Sequence, residues 1–180
     1  FDGNTNGDAL TVDGISYTFP VGDATFIVGD STDGSALFTT ACVYGGPSAM
    51  LDDCGNVNAG ITGGAATIGA SYDFGSGFTA AFGYAGDEDG LLTDENLDAY
   101  GFNGAYTGDN YGISITYGTV DTSNAHEDTF TAFNGYYTPD AAGFPSISLG
   151  YEVGEDDSVT GTDDALTSFF VGLSWDEVGP

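Results

Sequence analysis

Almost all the residues of this chain that could do chemistry are carboxylates. Its 180 residues include 28 Asp and Glu, no Lys or Arg, one His and two Cys, for a formal charge of −28. Paired carboxylates can serve as general acid and base, but in a chain this acidic neighbouring Asp and Glu arise from composition alone. The one imidazole, His126, stands in Ala125-His126-Glu127 with no Ser or Cys nucleophile marked beside it. It reads as a solvated residue rather than as a catalytic base. No Gly-Lys-Ser/Thr triplet marks a phosphate loop. The expectation is a chain without catalytic residues, not an enzyme, with no required cofactor. Nucleic acid is excluded as a partner, because nothing here can neutralise phosphates. The same deficit argues against attraction to an anionic membrane surface.

Carboxylates also hold cations. Asp2, Asn4, Asn6, Asp8 and Asp13 lie in an N-terminal run with the oxygen-ligand spacing of a calcium loop. Against this, the twelfth position is Asp13 rather than the longer Glu, and no helical pattern flanks the run, so a flexible polar N-terminus is the preferred reading. The other acids crowd the gaps between apolar runs: Asp87, Glu88, Asp89, Asp94, Glu95 and Asp98, then Asp121, Glu127 and Asp128, then Glu155, Asp156, Asp157, Asp163 and Asp164. Gathered on one rim, they would concentrate cations and repel anions at moderate ionic strength. Diffuse binding of Ca2+ or other divalent ions along this rim outweighs a single built site. A solubilising acidic surface accounts for the charge equally well. Self-repulsion on this scale points to a salty or divalent-rich habitat.

The two cysteines, Cys42 and Cys54, fall in the longest gap, 30–64, among Gly and Pro. In a cell-surface or secreted chain such a pair is expected to form a disulfide, worth about 3 kcal/mol in the chain-entropy model. Metal ligation is disfavoured, since no second Cys pair exists and His126 is remote. A loop this long inside a compact domain generally has a task. Inside a barrel that task would be to fold inward and narrow the lumen, stiffened by the disulfide. In a soluble fold it would be a lid or contact surface.

The elements that must position these groups are nine runs of alternating apolar and small residues: 10–19, 24–29, 65–74, 78–85, 99–106, 111–120, 129–137, 146–153 and 166–175. The gaps between them alternate short and long, with Gly75-Ser76-Gly77 among the short ones and the acidic stretches among the long ones. The reading is an all-β chain, an antiparallel up-and-down barrel or large meander of about nine strands, in a single domain over 1–180. No apolar stretch is long enough for a transmembrane helix.

Successive strand side chains point to opposite sides, and the two sides differ. Ala66, Ile68, Ala70, Tyr72 and Phe74 oppose Thr67, Gly69, Ser71 and Asp73. Tyr111, Ile113, Ile115 and Tyr117 oppose Gly112, Ser114, Thr116 and Gly118, while Phe169, Val171, Leu173 and Trp175 oppose Phe170, Gly172 and Ser174. An apolar face with aromatics near the strand ends suits a lipid-facing barrel wall. A soluble sandwich would also bury an apolar face, but its water-facing surface would carry Lys, Glu, Thr or Arg rather than columns of Gly and Ser. The odd strand count and the Gly179-Pro180 end lead to the expectation of a segment of a longer, or processed, protein.

Three strings carry a resemblance: Thr11 to Gly22, Gly34 to Cys42, and Phe170 to Pro180. They resemble the barrel of the cyanobacterial outer-membrane porins of the carbohydrate-type or iron-uptake kind, in order and over nearly the whole chain. The resemblance implies passive diffusion of small solutes or ions through an outer-membrane channel, with lipid and a homo-oligomer, a trimer, as partners. This chain departs from the family in lacking every basic residue, so anion selectivity has no candidate site. The alternative is an extracellular filament or sheath subunit, a polymer whose open sheet edges pair with copies of itself. A soluble carbohydrate-binding sandwich ranks third.

Overall fold

The computed structural model describes residues 14–44, 54–61, 64–87, 97–123, 126–141, 143–157 and 163–175. Nine strands follow one another: β1 (Ile15–Val21), β2 (Ala24–Thr32), β3 (Gly64–Gly75), β4 (Phe78–Gly86), β5 (Asp98–Thr107), β6 (Tyr111–Ser123), β7 (His126–Tyr137), β8 (Ser146–Asp157) and β9 (Asp163–Ser174). Each pairs antiparallel with the next, so one sheet runs β1 to β9 in chain order and leaves β1 and β9 as its edges. The sheet is an all-β up-and-down meander that is not closed into a barrel.

Turn chemistry fixes the register at one end. Gly22, with φ +63°, opens the two-residue β1–β2 turn, and Ser76 and Gly77 both take positive φ (54° and 87°) between β3 and β4. Those signs match the right-handed twist of the flanking strands. The β5–β6 turn is closed by the Gly108 N–H donating to the Tyr111 carbonyl at 2.8 Å.

At the other end the strands run further than the apolar runs do. Expected acidic loops are there replaced by paired strand: Asp121 stands opposite Glu127, Val120 opposite Asp128, and only residues 124 and 125 separate β6 from β7. On β8 and β9, Glu155 faces Ala165, Asp156 faces Asp164 and Asp157 faces Asp163. Backbone pairing is indifferent to side-chain charge, so the ladder continues although like charges directly opposite one another cost stability.

The register puts most of each strand's large apolar residues on one face and its small or polar residues on the other, as alternation requires, with Ile27, Phe130 and Phe170 among the exceptions on the small-residue face. The apolar face is bare: Ile15, Phe74, Ile113, Phe133, Leu149 and Phe169 are among its many exposed side chains. The small-residue face is covered instead by the chain's own segment between β2 and β3, hereafter the strap. Among the described residues, core packing between strap and sheet falls in two clusters. Ala59 meets Phe130 and Ala132, while Ile61 meets Ala85 and Ala99 with Phe38 and Val120 against them.

Candidate functional site: the polar face and its strap

The strap begins where the Asp33 carboxylate accepts from the Ser35 N–H and hydroxyl, both at 2.8 Å, and turns the chain. The next residues cross the sheet extended, and every second N–H points at it. Thr39 N donates to Asn103 Oδ1 on β5 at 2.9 Å, Ala41 N to Ser114 Oγ on β6 at 2.9 Å, and Val43 N to Ser148 Oγ on β8 at 3.1 Å. Asn103 also donates from Nδ2 to the Thr39 carbonyl at 3.1 Å, so its amide pairs with Thr39 as a neighbouring strand would. Tyr44 then packs edge-on against Phe170 of β9, ring centroids 5.4 Å apart.

The return limb comes back over the same strands. Ser168 Oγ on β9 donates to the Gly55 carbonyl at 3.2 Å, and Asn134 Nδ2 on β7 to the Cys54 carbonyl at 2.8 Å. Glu152 on β8 takes the centre. It is 2% exposed. Its Oε2 accepts from Asn58 N and Ala59 N, each at 2.9 Å, and its Oε1 from Asn58 Nδ2 at 2.8 Å. A buried carboxylate is costly unless its charge is met by hydrogen bonds or a counter-charge. This chain has no Lys or Arg to offer, and three N–H donors take that part. The expected disulfide joins the limbs: Cys42 and Cys54 are bonded, with Cα atoms 6.3 Å apart.

The glycine column is the seat of this strap. A Cβ at Gly83 would overlap the Gly34 carbonyl oxygen, one at Gly150 would overlap that of Cys54, and one at Gly118 would stand 2.7 Å from that of Ala59. Backbone lies on backbone here because no side chain intervenes.

The rim residues follow the strand ends. Asp87 is exposed just past β4, Asp98 opens β5, Asp121 lies on β6, Glu127 and Asp128 open β7, and Glu155, Asp156 and Asp157 end β8, all at the end of the sheet where the strap begins. His126 Nδ1 lies 3.2 Å from Asp157 Oδ2, and Asp157 N donates to Asp128 Oδ1 at 3.0 Å. Among the described residues no three His, Cys, Asp or Glu side chains are grouped to hold a metal ion. Glu88, Asp89, Asp94 and Glu95, and the calcium-loop residues Asp2, Asn4, Asn6, Asp8 and Asp13, lie outside the described residues.

Sequence reasoning did not single out Glu152, Asn103, Asn134, Ser114 or Ser148 as a group. A signal for two of them existed: Asn103 and Glu152 are large polar residues in columns otherwise built mainly of Gly, Ser, Thr and Ala, whereas the column of Asn134 also holds Phe130 and Tyr136.

The bare face has its own pattern. At the turn end it shows Phe74, Phe78, Tyr111, Tyr137 and Trp175, with Phe78 and Tyr106 rings 4.7 Å apart. Toward the acidic end it shows Tyr100, Phe102, Tyr117, Tyr151 and Phe169. Between them lie Ile113, Ile115, Leu149 and Val171. The uncharged part of β6, Tyr111 to Val120, is about 30 Å long at ~3.4 Å per residue. Tilted by about 40° as barrel strands are, it would stand roughly 23 Å tall, against an apolar band of about 25 Å in outer-membrane barrels.

No protein-family model, curated protein or solved structure matches this chain.

Proposed function

We propose that this sheet is wall and inner loop of a porin-like β-barrel of the outer membrane, through which small solutes or cations diffuse passively. The observation that carries the reading is which face the chain covers for itself. Half of a soluble sandwich would hide its apolar face and wet its polar one. Here the Gly, Ser, Thr and Asn face lies under the strap and the aromatic and aliphatic face is left bare. That inversion suits lipid outside and a polar lumen inside. The strap narrows the lumen, and the carboxylates at one rim enrich cations at its mouth. Lipid and further copies of the chain are the partners in this reading.

The two edges, unpaired among the described residues, favour a second reading, an extracellular filament subunit polymerised through β1 and β9. One experiment separates the two. The native protein is sedimented with and without detergent, and the detergent-solubilised material is added to a planar lipid bilayer. Detergent-dependent solubility with stepwise conductance is the expected result. Detergent-free filaments and a silent bilayer would refute the channel.

A further inference from the structure

Toward the acidic end of the bare face the side chains change chemistry in a fixed order. On β8 Leu149 is followed outward by Tyr151, Val153 and Glu155, each two residues further on. The register sets Phe133 and Phe169 beside Tyr151, Thr131 and Thr167 beside Val153, and Thr129 and Ala165 beside Glu155. Across β7, β8 and β9 the wall thus passes from aliphatic to aromatic, then to hydroxyl and to carboxylate. A groove of about 380 Å³ runs over the two outer rows, and its lining includes Thr129, Thr131, Val153, Glu155, Ala165 and Thr167.

Charge decides what this groove can hold. Glu155 and Thr167 are exposed and Thr131 is half-buried, while the chain has no Lys or Arg to set beside them. An anion here would meet a carboxylate and no counter-charge. An ammonium would be attracted to Glu155, and the threonine hydroxyls can donate to phosphate or ester oxygens without adding charge of their own. Successive rows lie ~6.8 Å apart along the strand, or about 5 Å along the membrane normal at a tilt of about 40°. The two-carbon link between the phosphate and the ammonium of an aminoethyl phospholipid spans such a step.

We infer that this groove is a headgroup site for a zwitterionic phospholipid whose ammonium is its outermost group. The inference rests on the membrane reading above and adds to it a choice among lipids. Glu155 faces the ammonium, and Thr131 and Thr167 donate to the phosphate oxygens. The ester groups lie over Tyr151 and Phe169, the latter 80% exposed, at the level where aromatic side chains meet the membrane interface. The acyl chains continue over Leu149 and Val171, both exposed. A phospholipid that lacks the ammonium would set its negative charge against Glu155. A lipid with an uncharged sugar headgroup would leave that carboxylate without a partner.

The test equilibrates the immobilised full-length protein with detergent micelles that hold equal parts of three lipids with identical acyl chains. These are phosphatidylethanolamine, phosphatidylglycerol and a glucosyl diacylglycerol, and the lipid retained after a fixed detergent wash is quantified. At 0.15 M salt the Debye length is about 8 Å, so Asp87, past β4 and four strand spacings or about 19 Å from β8, serves as a control for net charge. The ethanolamine lipid should be retained over the other two. Glu155→Gln should lower its retention roughly two- to fivefold, Thr131→Val with Thr167→Val should also lower it, and Asp87→Asn should leave it unchanged. Equal retention of the two phospholipids by the wild type, or equal losses in Glu155→Gln and Asp87→Asn, would overturn the inference and leave the channel reading intact. Tightest retention of the glucosyl lipid would overturn it too and assign the groove to uncharged sugars. Protein that stays soluble without detergent and retains none of the three lipids would sink the membrane reading and the groove together.

Discussion

Replacing Glu152 tests what holds the strap. Asn58 N and Ala59 N both donate to one carboxylate oxygen of a residue that is 2% exposed, and Ala59 is fully buried. Glu152→Leu removes the acceptor and leaves both backbone donors stranded, each costing about 1–3 kcal/mol, so opening of the return limb becomes easier by roughly 2–6 kcal/mol. At 1.4 kcal/mol per factor of ten, exchange of the Asn58 and Ala59 amides should rise at least 30-fold. Glu152→Gln keeps one carbonyl oxygen for the two backbone donors and loses only the charge assistance, about 1–3 kcal/mol in total. Exchange measured residue by residue should therefore rank wild type slowest, then Gln, then Leu. The Thr39 amide, held by Asn103 on the other limb, and the β8 ladder amides should be unchanged. Unaltered protection of Asn58 and Ala59 in the Leu variant would refute the claim that the carboxylate clamps this limb.

Further substitutions probe the seat, the wall and the rim. Gly118→Ala should lower stability by about 1–3 kcal/mol in a denaturant titration, because its Cβ would press on the Ala59 carbonyl. Gly104→Ala, whose Cβ would make only ordinary contact at 3.8 Å, should leave stability unchanged. Ile115→Arg, at mid-band on the bare face, should cost roughly 2–4 kcal/mol of folded protein in vesicles; undiminished folding there would count against lipid contact. Asp121→Asn with Glu127→Gln should weaken cation preference at 0.01 M salt, where the Debye length is about 30 Å. The effect should vanish at 1 M, where it is about 3 Å, and persistence would place those carboxylates in the conducting path itself.

The faces were legible in the sequence because a period of two is hard to mistake when one column is aromatic and the other glycine, as at Tyr111 to Gly118. The strand count and the disulfide followed from similarly local signals. Strand ends were less legible. Acid-rich stretches at Asp121 to Asp128 and Glu155 to Asp164 read as loops because composition marks solvation, whereas the hydrogen-bond ladder depends on backbone alone. The strap's partners were hidden for another reason. Glu152 meets Asn58 and Ala59, Asn103 meets Thr39, and Asn134 meets Cys54 across 60 to 100 residues of chain. In most of these contacts the strap offers a peptide group, which every residue has, so nothing in its sequence announces the match.

The way the strap is held also says how it would leave. Near β4 and β5 it is anchored by apolar contact: Ile61, 1% exposed, sits against Ala85 and Ala99 with Phe38 beside it, a burial worth about 1.5–3 kcal/mol for Ile61 alone. Toward β8 and β9 its described hydrogen bonds run to Ser148, Glu152 and Ser168, over glycines at 150 and 172. Water can replace hydrogen-bonding partners far more cheaply than it can replace apolar packing. Lifting the strap from β8 and β9 would therefore uncover glycine, serine and a carboxylate, all readily hydrated, with the Phe170 ring as the one large apolar group described there, while Ile61 stays in place as the hinge. Amide exchange in the wild-type protein should reflect this order, with Asn58 and Ala59 opening at lower free energy than Ile61. Equal protection along the whole return limb would mean that the strap opens only by global unfolding, and a hinged constriction would then be untenable.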